Sequence, residues 1–330
     1  QQDSSYEGVN LFNDPQRLFG GELGLDYQQK AFFGEVSYQF NDVWELTLGA
    51  RHFDYDRTDT SETKPGVFAG ANPLPIPDVD AGQTGDLFKA NLSFTPNDNT
   101  LLYAQVSEGF RLGRGQRLPE LSLCDVNNDG LLDHTEGVLT ARVDADTTEN
   151  FELGGKFTLL DNRLTINTAI FRIDWSNLPV SIANTTDACP GAANITNNLG
   201  EARSEGVELE GSFAVTADLL VNFSAAYMDA ELTETRAPFE VGDALPYAPK
   251  SSASLGVQYD FELADSPSFV RTDMSYVGEN KNGFQQNNYP TSGDYITVNV
   301  RAGMNLSESW SLGFYVNNLL GENATTYDEQ

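Results

Sequence analysis

The sequence predicts an all-β fold, an antiparallel up-and-down transmembrane β-barrel built here from about twelve strands. Three observations support this prediction. Apolar and polar residues alternate with a period of two, the connections between the predicted strands alternate between short and long, and aromatic residues cluster beside the short connections. Together these features are typical of an outer-membrane barrel, which has short periplasmic turns and long extracellular loops.

The composition of the 330-residue chain narrows the class of protein. It carries 19 basic and 49 acidic residues, a net charge of −30, which argues against nucleic-acid binding because that function needs a basic face. Apolar residues make up 39% of the chain, so the charge does not indicate disorder. No run of about 18 apolar residues predicts a transmembrane helix. The opening residues "QQDSSYEGVN" do not resemble a signal peptide.

Strand alternation is visible in each segment from residue 32 onward. In "FFGEVSYQF" (32–40) and "WELTLGAR" (44–51), apolar side chains occupy one phase and mainly polar side chains the other. The same pattern recurs in later segments, which are 88–95, 151–159, 207–213, 253–260 and 296–303.

Two faces follow from this alternation. The apolar face should be continuous, convex and in contact with lipid: Leu46, Leu48, Leu92, Leu153, Leu209, Val257, Val298 and Leu312. The charged face should point to the concave, lumenal side: Arg51, Lys89, Arg111, Lys156, Glu208 and Arg301. A basic residue on the lipid side costs about 2–4 kcal/mol at the bilayer midplane, so charges belong inside. The alternative is the solvated face of a soluble sheet.

The connections fall into two groups. Short ones lie near 41–43, 96–99, 160–162, 215–217, 263–266 and 306–309. Long ones lie near 58–84, 113–145, 181–197, 235–247 and 281–292. In a meander, this alternation puts all short turns at one end of the sheet and all long loops at the other.

Aromatic residues cluster beside the short turns: Phe40, Trp44, Phe94, Tyr103, Phe157, Phe213, Phe261, Phe269 and Trp310. This clustering predicts an interfacial aromatic girdle. The alternative is the ordinary enrichment of aromatic residues in sheets.

Five stretches, in order along the chain, resemble motifs of the TonB-dependent outer-membrane receptors. "LLYAQVSEGFRLG" (101–113) resembles the family's Tyr-x-x-x-Ser-x-Gly-Phe-basic-x-Gly strand, and "NFELGGKFTLLDNRLTINTAIFRIDWSN" resembles its Glu-Leu-Gly-x-Lys hairpin. "GEARSEGVELEGSF" and "APKSSASLGVQY" resemble its Gly-x-Glu-x-Glu strand and its Ala-Pro-x strand opening. "VNNLLGEN" resembles the Asn-Leu-Phe-Asp element before the last strand, with Leu320 and Gly321 in place of Phe and Asp.

The resemblance implies a barrel of about 22 strands with an N-terminal plug. Compared with a complete receptor of that family, residues 1–330 would be a partial barrel domain, without the plug and the final strand. It also implies the outer membrane of a Gram-negative bacterium, contact with its lipid, and active import powered by a TonB-type inner-membrane coupling complex. The cargo would be a scarce large ligand, most often a ferric siderophore. The alternative function is a passive porin or a calcium-stabilised surface adhesin.

The predicted extracellular loop 113–145 contains the segment "DVNNDGLLDHTE", which has the spacing of an EF-hand calcium loop. Its Ca²⁺ ligands would be the side chains of Asp125, Asn127, Asp129, Asp133 and Glu136 and the main-chain carbonyl of Leu131. Neither flank shows the apolar stripe of an EF-hand helix, so we interpret the segment as an insert in the loop. The alternative is an acidic turn.

The two cysteines fall in neighbouring long loops. Cys124 directly precedes the calcium-like segment, and Cys189 lies in 181–197. A single pair is compatible with one disulfide in an oxidising compartment, which predicts that Cys124 and Cys189 are bonded and tether the ends of the calcium loop. The alternative is two free thiols.

The sequence does not predict an enzyme. Its two histidines are His52, on the outward phase of its strand, and His134, inside the calcium-like segment, and the common hydrolase, phosphate-loop and dinucleotide motifs are absent. The aromatic residues Phe68, Phe284 and Tyr289 are candidates for cargo contact. The sequence does not assign ligand-binding residues beyond these loop positions.

Overall fold

A computed structural model describes residues 2–9, 17–65, 78–116, 142–183, 194–235, 239–284 and 291–324. Its strands, in chain order, are β1 (Gln2–Val9), β2 (Arg17–Asn41), β3 (Trp44–Thr63), β4 (Val79–Asn97), β5 (Thr100–Arg111), β6 (Arg114–Gly115), β7 (Arg142–Val143), β8 (Asp146–Leu159), β9 (Leu164–Ala183), β10 (Asn194–Ala214), β11 (Leu219–Glu234), β12 (Ser251–Leu263), β13 (Ser266–Val277), β14 (Asn280–Lys281), β15 (Thr291–Ser292), β16 (Tyr295–Ser307) and β17 (Trp310–Val316). No helix among these residues is long and apolar enough to cross a membrane.

The main sheet contains 13 antiparallel strands in sequence order. The short pairs β6–β7 and β14–β15 form separate ribbons within the long connections. Strands β1 and β17 each pair with one neighbour, so the described sheet is open at both edges. The prediction of an antiparallel all-β fold of about twelve strands is confirmed. The additional strand is β1, whose sequence "QDSSYEGV" is too polar to show the alternation.

The short turns all join consecutive strands at one end of the sheet, as predicted. Ala264 and Asp265 both have positive φ, the backbone conformation of a two-residue type I′ hairpin turn, whose twist matches that of the flanking strands. The β2–β3 turn is held by the side chain of Asn41, which accepts hydrogen bonds from the main-chain N–H groups of Val43 and Trp44. Because the short turns occupy this end of the sheet, the long connections lie at the opposite end.

The strand register places the predicted apolar residues on one face. Leu46 lies opposite Leu92, which lies opposite Ala104, and the row continues through Leu153 to Ile170. Leu153 is 62% exposed, and large exposed apolar side chains recur along this face. A continuous apolar surface of this extent marks contact with a membrane or a partner. We call it the outer face.

The predicted charged residues occupy the opposite face, which we call the lumenal face. Lys89 lies opposite Gly49 and Ser107, in phase with Arg51 and Arg111. The predicted alternation is therefore confirmed on both faces.

The aromatic girdle is confirmed only in part. Trp44 and Phe94 stack on the outer face with ring centroids 4.5 Å apart. Tyr103 and Phe269 were predicted to join the girdle, and this is wrong: the register puts both on the lumenal face. Neighbouring residues of a strand point to opposite faces, so closeness to a turn does not place a side chain at the lipid interface.

Candidate functional site

The long-loop end of the lumenal face carries a buried apolar cluster. Its buried members are Leu178, Val180, Ala202, Leu232 and Phe239, and Trp175, Leu245 and Phe284 pack against them. Strands β9, β10 and β11 supply one side of this cluster, and the connections after β11 and β14 supply the other. We call it the β9–β11 cluster.

The connection after β11 folds back onto its own strand. Main-chain hydrogen bonds join the N–H of Leu232 to the carbonyl of Asp243, the N–H of Gly242 to the carbonyl of Leu232, and the N–H of Leu245 to the carbonyl of Ala230. Gly242 has φ +90°, a conformation that favours glycine and that makes the reversal possible. The reversal brings Phe239 to Phe284, with ring centroids 4.8 Å apart. Phe284, a predicted cargo contact, is thus part of the cluster wall.

A second aromatic group lies on β2, β3 and β5 at the same end. Phe53 stacks on Phe110 with centroids 3.8 Å apart, and Tyr55 lies 6.3 Å from Tyr27. Tyr55 is buried, and its hydroxyl oxygen accepts the main-chain N–H of Gly113 at 2.8 Å. The loop that starts at residue 113 is therefore anchored to β3.

Glycine is required at the start of that loop. A Cβ atom on Gly113 would lie 2.8 Å from the carbonyl oxygen of Val143. Gly115 donates its N–H to Asp59, and a Cβ atom there would lie 2.8 Å from the Val79 side chain. Close backbone approach at these two glycines lets β6 and β7 lie against β3 and β4.

Between the two aromatic groups lies an ion pair. The Asp146 side chain is 4% exposed. Its carboxylate accepts hydrogen bonds from Nε of Arg111 at 2.8 and 3.1 Å, and Nη2 of Arg111 lies 2.7 Å from the same carboxylate. The indole Nε1–H of Trp175 donates to the same carboxylate. The Arg111 guanidinium lies 4.6 Å from the centroid of the Trp175 ring, a cation–π contact, and its side chain is 58% exposed. Arg111 thus presents a positive charge while its counter-ion is buried.

Two polar contacts join the bases of the loops 113–145 and 181–197. The side-chain amide of Gln116 pairs with the main chain of Thr196, donating to its carbonyl at 2.8 Å and accepting its N–H at 2.9 Å. Asn198 accepts the N–H of Asp144 at 2.8 Å and donates to the carbonyl of Asn177 at 2.7 Å. The two loops therefore leave the sheet side by side.

The middle of the lumenal face is polar and acidic. Tyr103 donates its hydroxyl to Glu152 at 2.5 Å, and Asn167 donates to Glu210 at 2.8 Å. These residues, with Lys156 and Glu208, line a recess of 310 Å³. Charged groups in this position need water or protein partners, which a lumen provides and lipid does not.

Several predicted site residues lie outside the described part of the chain. They are the calcium ligands Asp125, Asn127, Asp129, Leu131, Asp133 and Glu136, the cysteines Cys124 and Cys189, and the aromatic residues Phe68 and Tyr289. Within the residues that the structure describes, no three His, Cys, Asp or Glu side chains converge to hold a metal ion. The calcium site and the disulfide therefore stay predictions.

The sequence reasoning missed the Asp146–Trp175 partnership with Arg111. The alternation of β9 predicts that Trp175 points to the lumenal face, because Trp175 is an even number of residues from Asn167 and Ala169, which point there too. Its pairing with Asp146 depends on the register between β8 and β9, which the sequence pattern does not define.

The described sheet defines a class of protein. An antiparallel meander with an apolar outer face, a charged inner face, short turns at one end and long connections at the other is the wall of an outer-membrane β-barrel. The family model described as "TonB dependent receptor-like, beta-barrel" matches residues 2–319, and the chain belongs to the TonB-dependent receptors. The β-barrels of this family are outer-membrane proteins of Gram-negative bacteria. Its members are transport receptors and not enzymes, which agrees with the lack of a catalytic motif.

Individual relatives support the same assignment. The chain is 28% identical over 288 residues to the metal-pseudopaline receptor CntO of Pseudomonas aeruginosa, a match that covers 85% of this chain and 35% of that receptor. It is 25% identical over 249 residues to the probable TonB-dependent siderophore receptor PiuA of Acinetobacter baumannii, covering 70% and 29%. The chain spans about a third of the length of these curated relatives.

Among solved structures, the ferric yersiniabactin uptake receptor FyuA from Yersinia pestis superposes with a TM-score of 0.76 at 17% identity. The superposition covers 95% of this chain and 44% of that one. At this level of identity the similarity supports the fold alone.

Proposed function

We propose that the protein containing this chain is an active importer of the outer membrane, which takes up a scarce large ligand such as a ferric siderophore. The observation that carries the proposal is the lumenal wall at the long-loop end, where the exposed Arg111 lies against Trp175 beside the β9–β11 cluster. Sites for organic ligands combine apolar and aromatic side chains with a few placed polar groups. The similarity to CntO, a metal-pseudopaline receptor, and to PiuA, a probable siderophore receptor, supports the same class of cargo.

The partners follow from the same proposal. Outer-membrane lipid would contact the outer face, and a plug domain would contact the acidic middle of the lumenal face. A TonB-type complex in the inner membrane would supply energy through that plug. A passive porin or a surface adhesin is the competing function, and it would need no energy source.

Uptake measurements distinguish these functions. Cells that carry the whole receptor should accumulate radiolabelled ferric siderophore only when the inner-membrane coupling complex is present and energised. Metal complexes of other classes should be tested in parallel, because the cargo class is part of the proposal. Equal uptake with and without the coupling complex would establish the passive pore instead.

We propose further that loop 113–145 binds Ca²⁺ as a structural ion and that Cys124 bonds to Cys189. Carboxylate, amide and main-chain oxygens at EF-hand spacing are the ligands that Ca²⁺ prefers. The hydrogen bonds of Gln116 to Thr196 support the disulfide, because they hold the bases of the two cysteine-bearing loops together. The ion and the disulfide would stiffen the loop at its middle and at its ends.

Calcium is expected to protect the whole receptor from proteolysis within residues 117–141. Extracellular calcium modules bind at about 10⁻⁴–10⁻³ M, so protection should appear in millimolar CaCl₂ and disappear with EGTA. Asp125→Ala combined with Glu136→Ala should remove the effect, whereas the exposed Asp98→Ala, in a short turn, should not. Cleavage that is unaffected by calcium would identify the segment as an acidic turn.

Peptide mapping under non-reducing conditions tests the disulfide. Proteolysis of the oxidised receptor should yield one linked pair of peptides, which contain Cys124 and Cys189 and separate on reduction. The Cα atoms of such a pair lie within about 7 Å. Quantitative alkylation of both thiols in the folded, unreduced receptor would contradict the prediction.

A further inference from the structure

Strand β4 has a free edge at its long-loop end. It pairs with β3 as far as Val79, but its ladder with β5 ends where Lys89 lies opposite Ser107. Strand β5 continues to Arg111 and pairs there with β8. Within the part of the chain that the structure describes, no strand pairs with residues 79–88 on the side of β4 away from β3. We call this side of residues 79–88 the β4 edge.

The chain that follows β5 does not cover the β4 edge. Strand β6 lies instead on the lumenal side, where the N–H of Gly115 donates to the Asp59 side chain at 2.7 Å. A Cβ atom on Gly115 would lie 2.8 Å from the side chain of Val79, which is opposite Asp59 on the lumenal face. Where the ladder ends, the Glu108 carboxylate accepts the main-chain N–H of Phe88 at 2.8 Å. A side chain thus takes the place of a strand partner.

The main-chain groups of the β4 edge point away from β3 at every second residue. The N–H of Phe88 points toward β5, because it is bonded to Glu108. Hydrogen-bonding direction alternates along a strand, so Gly82, Thr84 and Asp86 present their N–H and C=O groups on the same side as Phe88. These three residues are exposed. An exposed edge of this kind can accept an additional strand through main-chain hydrogen bonds.

The side chains beside the β4 edge are mainly acidic. Carboxylates on the outer face of β3 and β4 at this end belong to Asp54, Asp56, Asp80 and Asp86. Asp86 contacts His52 at 2.8 Å, and Asp54 lies opposite Lys30. Because charged groups need water, this part of the sheet lies beyond the hydrocarbon, on the long-loop side. That is the cell-surface side of an outer-membrane barrel, where an external polypeptide can reach the edge.

Composition argues against an occupant from the same chain. The connection 66–77 contains three prolines and no basic residue, and proline lacks the N–H that a ladder needs. The connection 117–141 contains five acidic residues, with Arg117 and His134 as its basic side chains. A second copy would bring a net charge of −30 to an acidic edge. A cationic segment of another polypeptide is complementary where these are not.

We propose that the β4 edge is a docking site for an extended, cationic segment of another polypeptide at the cell surface. The segment would add a strand to β4 through the main-chain groups of Gly82, Thr84 and Asp86. Every second side chain of the added strand would then lie on the outer face beside Asp80 and Asp86, and these side chains should be Lys or Arg. This docking goes beyond import and does not depend on the cargo.

Peptide binding to the purified whole receptor in detergent tests the proposal, with fluorescence anisotropy at physiological ionic strength as the readout. The probe is a labelled peptide of alternating lysine and valine, with lysine at both ends, and the wild-type receptor should bind it. Methylating the backbone nitrogens of the two central lysines removes donors that would face β4, so affinity should fall about tenfold or more. Methylating two valine nitrogens, which would face away from β4, is the matched control and should leave the affinity unchanged.

Receptor variants locate the peptide on the β4 edge. Thr84→Pro removes an N–H that points away from β3, so the native ladder stays intact and peptide affinity should fall about fivefold or more. Thr84→Val is the matched control, because it also loses the hydroxyl bonded to Asp54 but keeps the main-chain N–H. Asp80→Asn combined with Asp86→Asn should weaken binding as well, whereas Asp98→Asn in a short turn should not.

Three outcomes would overturn the proposal. Equal affinity of the two methylated peptides would mean that the lysines bind by charge alone and that no strand is added. Unchanged affinity in Thr84→Pro would place the peptide elsewhere on the receptor. A wild-type receptor that does not bind the unmethylated peptide would mean that the β4 edge is not a docking site for a cationic strand.

Discussion

Replacing Ala225 by arginine is expected to destabilise the whole receptor in a bilayer, whereas replacing Ala226 by arginine is not. Ala225 lies on the outer face, opposite Leu209 and Ala253, with the apolar Phe223 and Tyr227 before and after it in the same phase. A basic residue on the lipid side costs about 2–4 kcal/mol at the midplane and less near the interfaces. The new guanidinium would have only hydrocarbon around it.

Ala226 is the matched control, because it is the same residue type on the next position of the same strand. It lies on the lumenal face directly opposite Glu208, so an arginine there would meet a carboxylate. Urea unfolding of the receptor in lipid vesicles, followed by tryptophan fluorescence, measures both variants. Equal destabilisation by the two substitutions would contradict the assignment of the faces, and with it the membrane-barrel reading of the sheet.

The strands and faces were predictable because alternation is a local property. Each strand shows its own phase, as Leu153 and Lys156 do in β8, and six tight turns fix the order of pairing. The aromatic girdle shows where this reasoning fails. Tyr103 and Phe269 were assigned from their distance to a turn, although their phase within the strand decides the face.

The site was less predictable because it depends on contacts between distant segments. Arg111 could be placed on the lumenal face from its phase, but Asp146 and Trp175 meet it only through the registers of β5 with β8 and of β8 with β9. The return of residues 239–245 onto β11 depends on main-chain hydrogen bonds and on Gly242, which carry no periodic pattern. Sequence periodicity therefore predicts the strands and the two faces of the sheet. The side-chain contacts at the long-loop end depend on tertiary packing, which periodicity does not predict.

Replacing Leu232 by alanine is expected to cost about 2–5 kcal/mol and to release the segment 239–245 from β11. Leu232 is fully buried, at 0% exposure, in the β9–β11 cluster. Its removal would leave a cavity facing Phe239, while the neighbouring strands are held by their own ladders and cannot collapse into it. The loss should therefore appear first as local opening of the returning segment and not as global unfolding.

Hydrogen exchange of the whole receptor measures this opening at individual amides. The N–H groups of Leu232, Gly242 and Leu245 close the returning segment, so their exchange should accelerate strongly in Leu232→Ala. The amide of Thr158, bonded to the carbonyl of Asn99 beside the short turns, should keep its wild-type rate. Val241→Ala in the same segment should have little effect, because that side chain is exposed.

Uniform acceleration at both ends of the sheet would mean that the cluster stabilises the whole wall. Unchanged exchange at Gly242 and Leu245 would mean that main-chain hydrogen bonds alone hold the segment and that the cluster does not form the loop end of the lumen.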